Sequence, residues 1–344
     1  MFIFQVVNME TATPEVPAMA KEAYTVGWVC ALPIEMAAAK MMLDSIHPNL
    51  PGQDPLDHNS YILGQIGNHN VVIACLPVGM AGTATAATVA KDMLRTFKSI
   101  RFGLMVGIGG GAPPPTGEND LRLGDIVVSQ PTSTSGGVIQ YDRGKTVQGG
   151  EFQQTGTLNA PPAMLLTALT RLQAEHLSGE CQIPQYLSEM LAGRPKIGKK
   201  YSYPGASNDI LFQADYEHAG AAGSCAQCDP ERKVQRHARE DSDPAIHYGN
   251  IASGNQVIKH GATRDRLRQK HMVLCFEMEA AGLMPDFPCL VIRGICDYAD
   301  SHKNKTWQGY AAATAAAFAK ELLSVAISPD NILQEKPIPQ LVSG

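Results

Sequence analysis

The chain is poor in positive charge: 28 Lys and Arg stand against 33 Asp and Glu, for a net charge of −5 at pH 7. No basic run is interleaved with aromatics, and the ten Tyr and nine Phe are scattered, which argues against a nucleic-acid partner. Long apolar runs are missing as well. The opening MFIFQVV is too short for a membrane span and lacks the basic region of a signal peptide. No membrane association is therefore expected, and residence is read as cytoplasmic, with the nucleus as the other reducing option. There is no internal repeat and nothing marks a linker between independent domains.

Paired metal-binding motifs are also lacking. Of the eight cysteines, Cys30, Cys75, Cys275, Cys289 and Cys296 sit inside apolar, strand-like runs, where free Cys behaves as a small hydrophobe. Cys225 and Cys228 form a lone CxxC in a polar stretch near His218 and His237. Without a second CxxC or a close HxxxH, this reads as a solvated loop, with a zinc site as the alternative. No metal and no organic cofactor is expected.

What is present is an ordinary globular composition, 44% hydrophobic and 18% charged over 344 residues. The most informative stretch is residues 273–300, VLCFEMEAAGLMPDFPCLVIRGICDYAD. Residues 273–276 and 288–296 read as buried strands, with Glu277 and Glu279 opening a helical segment between them. Asp297 follows the second strand at its carboxyl end, where open α/β sheets place their ligands. Each acid alone fits a structural role at a helix start or turn. Together, with Arg293 interrupting an apolar strand, they concentrate charge where a purely structural element would avoid it, so Glu279 and Asp297 are read as walls of one site.

The rest repeats a strand-then-helix grammar. YTVGWVCA at 24–31 is a strand leading into the helix LPIEMAAAKMML, whose first turn holds Pro33 and Glu35. Residues 61–66 and 70–76 flank Gly67 and Asn68 as a hairpin, and Gly79 and Gly82 bracket a turn into an Ala/Thr-rich helix. Strand 102–108 ends in GIGGGAPPP. Prolines stop a helix from opening there and no acidic-tipped strand follows, so a dinucleotide cofactor is rejected and the glycines are read as letting backbone N–H groups at the strand end approach a ligand without a Cβ clash. Further strands are expected at 126–129 and 246–253, and helices at 161–176, 185–191 and, Ala-rich, 306–327. The pattern implies an α/β fold with a central, largely parallel twisted sheet between helical layers. A single domain is expected over 24–327, carrying a polar insertion at about 192–245, with a loose arm at 1–23 and a tail at 328–344.

ALPIE at 31–35, the Gly79 turn, VGIGGG at 106–111, LGDIVVS at 123–129, ASGN at 252–255, FEMEAAG at 276–282 and RGICDYAD at 293–300 occur in an order that resembles the nucleoside phosphorylase and nucleosidase superfamily. In detail the chain looks closest to the fungal phosphorylase-like domains found at the front of multidomain immune-type receptors, here standing alone. The resemblance implies a three-layer α/β/α sandwich and cleavage of the N-glycosidic bond of nucleosides, usually by a homo-oligomer. A homodimer is expected ahead of a trimer.

By that resemblance, Asp297 matches the aspartate that protonates or hydrogen-bonds purine N7. Glu279 matches the glutamate that binds the ribose hydroxyls, Met278 packs on the sugar, and the Gly79 turn lies beside it. Glu35 matches the base that activates water in the nucleosidase branch. Asn255, Val257, Ile258 and Gly110 fall at the purine, where aliphatic Val257 and Ile258 stand in place of a stacking aromatic. The absence of an arginine from LPIEMAAAK, and a carboxylate in its place, favours attack by water over attack by phosphate. The leading expectation is a purine nucleosidase with a small-molecule substrate. The alternatives are a phosphorylase, an ATP-type nucleotide glycosidase in which Lys303 and Lys305 meet the 5′-phosphates, and a silent nucleoside-sensing module.

Overall fold

The computed structural model describes residues 19–50, 52–114, 120–220 and 223–326. The arm and tail expected at the two ends lie outside the described residues except for residues 19–23. The strands are β1 (Val26–Cys30), β2 (Ser45–Ile46), β3 (Tyr61–Ile66), β4 (His69–Cys75), β5 (Phe102–Gly111), β6 (Ile126–Ser129), β7 (Val138–Gln140), β8 (Gly144–Thr146), β9 (Phe152–Gln154), β10 (Ile246–Ser253), β11 (Val273–Glu277) and β12 (Cys289–Asp297). The helices are α1 (Pro33–Met42), α2 (Thr83–Thr96), α3 (Ala163–Leu177), α4 (Ile183–Leu191), α5 (Pro195–Tyr201), α6 (Gly261–His271), α7 (Ala280–Leu283) and α8 (Gln308–Val325). Among the described residues, no helix is long and apolar enough to cross a membrane.

One large sheet runs β11-β10-β6-β12-β5-β1-β4-β3-β2, with β7 beside β10. Its centre, β12, β5, β1 and β4, is parallel, and these strands are buried nearly throughout because helices cover both faces. Helices α1 and α8 pack on each other on one side, while α2 and α7 form the layer across the sheet. The expected three-layer α/β fold is the one found. Antiparallel pairing enters at three places: the hairpin β3–β4 with its margin β2, the pair β12–β6, and the pair β11–β5. The last of these joins the two ends of a run of strands, so β5, β12, β6, β10 and β11 form a closed ring. The hairpin turns at Gly67, whose φ of 55° supplies the left-handed geometry that short hairpin loops require.

Strand β5 runs beyond the expected 102–108: GIGGG forms its second half, paired on one edge with β12 and at Gly110 and Gly111 with β11. Poor strand propensity is overridden by contact, since side chains from neighbouring elements occupy the space a Cβ would need.

Helix α8 illustrates how small residues set layer spacing. All but a few of its residues are buried, as expected of a helix apolar all round, and alanines let it lie close on the sheet. At Gly294 of β12 an added Cβ would stand 1.8 Å from the Ala311 carbonyl oxygen. Residues 192–245 are tied to this body by charge. Arg239 donates to both oxygens of buried Asp125, at 2.6 and 2.7 Å, and Arg236 reaches Asp209 at 2.9 Å and the Tyr298 hydroxyl at 2.8 Å.

Gly294→Ala should destabilise the fold by about 1–3 kcal/mol, the usual cost of overpacking a close helix–sheet contact. A lowered urea midpoint with unchanged slope would show it. An unshifted midpoint would mean that α8 can lift away freely.

Candidate active site

Four chain segments meet at one cavity of about 290 Å³. Its walls include Leu32 and Glu35 from the start of α1, Ile108 and Gly110 from β5, Phe276, Glu277, Met278 and Glu279 from the end of β11, and Asp297 and Lys303 from the end of β12. The carboxyl ends of β1, β5 and β12 lie together because these strands are parallel, and β11 brings its end to the same place by pairing antiparallel with the end of β5, which explains why segments distant in sequence converge.

Glu35 is placed by helix initiation. One carboxylate oxygen accepts the Ala31 and Leu32 backbone N–H groups at 2.7 and 2.9 Å, and the other accepts Ile108 N–H from β5 at 2.8 Å. Gly107 makes room for it, because a Cβ there would lie 2.4 Å from Glu35 Oε1 and 2.6 Å from Arg293 Nη1. Burial raises the Glu35 pKa, while Arg293 and those three N–H groups oppose the rise.

Arg293 is the counter-ion of the site and is wholly buried in β12. Its guanidinium donates to Glu277 in a short contact and lies 3.4 Å from Glu279 Oε2. Glu277 in turn caps the next helix, accepting the backbone N–H groups of Glu279 at 3.0 Å and Ala280 at 2.9 Å. Glu277, Glu279 and Glu35 thus share one cation, and the excess negative charge must be relieved. Burial first, then repulsion from Glu277 and Glu35, pushes the Glu279 carboxyl up to about 7, with Arg293 pulling the other way.

Asp297 is 7% exposed. Its Oδ1 accepts Ala299 N–H at 2.9 Å and meets Lys303 Nζ at 3.2 Å, and its Oδ2 lies 3.2 Å from Cys296 Sγ. Ala299 adopts φ 51°, unusual for a residue with a side chain, which bends the loop back over the carboxylate. Gly110 faces it from β5, where a Cβ would stand 2.9 Å from Asp297 Oδ1.

Of the residues singled out from sequence, Glu35, Glu279, Asp297, Met278, Val257, Ile258, Gly110 and Lys303 line the cavity. Asn255, Gly79 and Lys305 do not. Asn255 instead clamps the start of α2, its Oδ1 accepting from the Thr83 N–H and hydroxyl, both at 3.1 Å, while Gln256 next to it reaches the cavity. Gly79 forms a turn of φ 81° that presents Ala81 rather than itself. Lys303, expected as a possible 5′-phosphate contact, is ion-paired to Asp297 at 3.2 Å. Sequence reasoning missed Glu277 as a structural partner. The signal lay in Arg293, since an arginine inside an apolar strand requires a buried carboxylate.

The raised Glu279 pKa has a consequence for stability. The folded state holds this proton more tightly than the unfolded chain does, so stability falls as pH rises from the ordinary 4.5 through about 7. Glu279→Gln should remove that slope, so urea unfolding at pH 5 and pH 8 should move the variant up relative to wild type at the higher pH. An unchanged difference between the two pH values would refute the assignment.

Residues 25–327 match the Phosphorylase superfamily. A nucleotide-binding leucine-rich repeat (NLR)-like protein of Hyaloscypha variabilis is 50% identical over 94% of this chain, and an ATP nucleosidase, Cap17, of Escherichia coli is 25% identical over 85%. The chain spans 31% and 50% of the lengths of these two relatives. In fold it is similar to the 5′-methylthioadenosine/S-adenosylhomocysteine nucleosidase of Neisseria meningitidis solved with methylthio-immucillin-A, with a TM-score of 0.52 and 17% identity, covering 87% of this chain and 98% of that one. With a match over most of its length and the cavity at the carboxyl ends of its parallel strands, the chain belongs to the Phosphorylase superfamily.

Proposed function

We propose that this chain is a purine nucleosidase, hydrolysing the N-glycosidic bond of an adenine-type nucleoside to free base and ribose. The observation that carries the reading is that Glu35, Glu279 and Asp297, from three separate parts of the chain, line one cavity. Breaking the bond develops an oxocarbenium-like sugar and negative charge on the departing base. Glu35, held by three N–H groups with its pKa raised by burial, is the base that takes a proton from water. Asp297 meets the leaving purine, and Lys303 beside it supports the charge that arrives there. Glu279 accepts the ribose hydroxyls, with Met278 against the sugar and Val257, Ile258 and Phe276 forming an apolar slot for the base. Val257 is 52% exposed, leaving an open side that a second subunit of a homodimer would cover.

Hydrolysis is favoured over phosphorolysis by charge. Arg293 lies against Glu277 and Glu279, and Lys303 against Asp297, so the cations near the cavity are already paired and a phosphate dianion would face carboxylates. The relative named as an ATP nucleosidase favours a second reading, an adenine nucleotide as substrate. Lys305 does not line the cavity and Lys303 is engaged, so the nucleoside is placed first.

Incubation with adenosine, inosine, guanosine and ATP, with and without inorganic phosphate, separates these readings. Free ribose from adenosine in the absence of phosphate is expected. Ribose 1-phosphate formed only when phosphate is present would overturn hydrolysis, ribose 5-triphosphate from ATP alone would move the substrate to nucleotides, and no product would favour a sensing module. Asp297→Asn should cost about 10²-fold or more in turnover while nucleoside binding survives. A near-wild-type rate in that variant would remove Asp297 from this role. Because ribose hydroxyls donate to the ionised form of Glu279, nucleoside affinity should weaken as pH drops below about 7. Calorimetric titration across pH 6 to 8 reads this, and a flat profile would contradict it.

A further inference from the structure

The lone CxxC does not lie in an isolated solvated loop. The ligand-bearing atoms of His218, Cys225 and Cys228 all lie within 4.8 Å of one another. Tetrahedral zinc, with Zn–S of about 2.3 Å, holds its ligand atoms about 3.7 Å apart, so this spacing needs little adjustment. His218 Nε2 is 3.1 Å from the Ser224 carbonyl oxygen. With that nitrogen donating, the other ring nitrogen carries the lone pair a metal requires, and the carbonyl fixes the ring as outer partners of metal-bound histidines do. His237, the other histidine near the motif in sequence, is outside this group; its carbonyl oxygen accepts from Arg122.

A second observation comes from a different part of the chain. His302, in the loop after Asp297, is 7% exposed, yet neither of its ring nitrogens has a hydrogen-bond partner. The nearest carboxylate oxygen, Asp300 Oδ1, is 3.7 Å from Nδ1, beyond hydrogen-bond reach. Leaving both nitrogens of a buried imidazole unbonded is costly. The ring is held flat against Phe212 at 4.1 Å, and it meets the His218 ring edge-on at 5.4 Å. Another grouping, His176, Cys181 and Glu321, contrasts with this one. Glu321 there already accepts from Gln182 N–H at 2.5 Å and meets His176 Nε2 at 3.0 Å, so its polar atoms need no ion.

We infer that Cys225, Cys228 and His218 bind a zinc ion, that His302, which lies outside their 4.8 Å grouping, turns in as the fourth ligand, and that this ion fastens the segment carrying His218, Cys225 and Cys228 to the loop carrying Asp297 and Lys303. Two thiolates and two imidazoles are the donor set that selects zinc and closes its coordination, which makes the site structural rather than catalytic. The fastening has a visible framework: His218 N–H donates to Ser301 Oγ at 2.9 Å. Cys225 and His302 line a second cavity of about 170 Å³ together with Cys296, Asp297 and Asp300, and Cys296 and Asp297 also border the first cavity, so the ion would adjoin the Asp297 loop. The inference does not depend on the identity of the substrate.

The full chain, produced in zinc-supplemented medium and purified under reducing conditions, should carry one zinc per chain by plasma mass spectrometry. Cobalt substitution should give the thiolate-to-metal charge-transfer band and the intense visible bands of a tetrahedral site. Cys225→Ser and Cys228→Ser should abolish both, and His302→Gln should bind at least about tenfold more weakly in chelator competition. On chelation, hydrogen exchange should quicken around His218, Cys225 and Cys228 and in residues 298–304, and not in the central sheet. Only trace zinc after reconstitution, with all eight thiols titrating as free, would overturn the site, as would a Cys225–Cys228 disulfide or zinc retained in the double serine variant. Unchanged affinity in His302→Gln would overturn the fourth ligand. If the serine variants fail to fold, zinc content and the cobalt spectrum of the wild-type chain still decide.

Discussion

A guanidinium sealed inside a parallel sheet is the constraint around which this molecule is arranged. Arg293 occupies the middle of β12 with no exposed surface. Unpaired, such a charge would cost several kcal/mol. Its partners come from the end of β11, where Glu277 and Glu279 sit, and Glu35 lies opposite at the start of α1. The carboxylates keep the Arg293 pKa above its ordinary value against the downward pull of burial. Pairing therefore requires β11 to come round to β5 and β12, and the closed ring of strands and the ion cluster are two descriptions of one arrangement. The cation also governs the chemistry at one remove. It lies behind Glu279 and Glu35, so it opposes the rise in proton affinity that burial imposes on these groups.

Glycine makes that arrangement sterically admissible. Gly107 leaves space where Glu35 and Arg293 approach each other, and Gly110 leaves space under Asp297 and Ala299. The strand β5 is thus a track along which acidic side chains from other elements are laid. Propensity alone predicts a turn there, and the strand forms because partners on both edges satisfy its backbone.

Much of the fold was legible in the sequence because its signals are local. Apolar runs bounded by turn residues gave the central strands, Gly67 and Asn68 gave the hairpin, and alanine content gave α8. The convergence of Glu35, Glu279 and Asp297 was legible for a different reason: each follows a strand end, those before Glu35 and at Asp297 gathered by parallel order and that before Glu279 by the return of β11 to β5. What stayed hidden depends on contacts between distant residues. Asn255 lies next to cavity-lining Gln256, and only the position of α2 reveals that its side chain is a clamp. The pairing of Lys303 with Asp297 is another contact that stayed hidden. Residues 192–245 looked polar and unanchored because their anchors, Asp125 and Tyr298, lie elsewhere in the chain.

The joining of β11 to β5 has a further effect at the rim of the molecule. A sheet of this width ordinarily ends in two unpaired strand margins, each a template for adhesion to another chain. Here one end is folded into its own middle, so β10 and β11 have no bare flank on that side. Among the described residues of this sheet, what is left uncovered is brief: the three residues of β7, and β3 where the two-residue β2 does not reach. Such a body can be appended to larger chains, or crowded beside copies of itself, with little danger of strand-to-strand polymerisation.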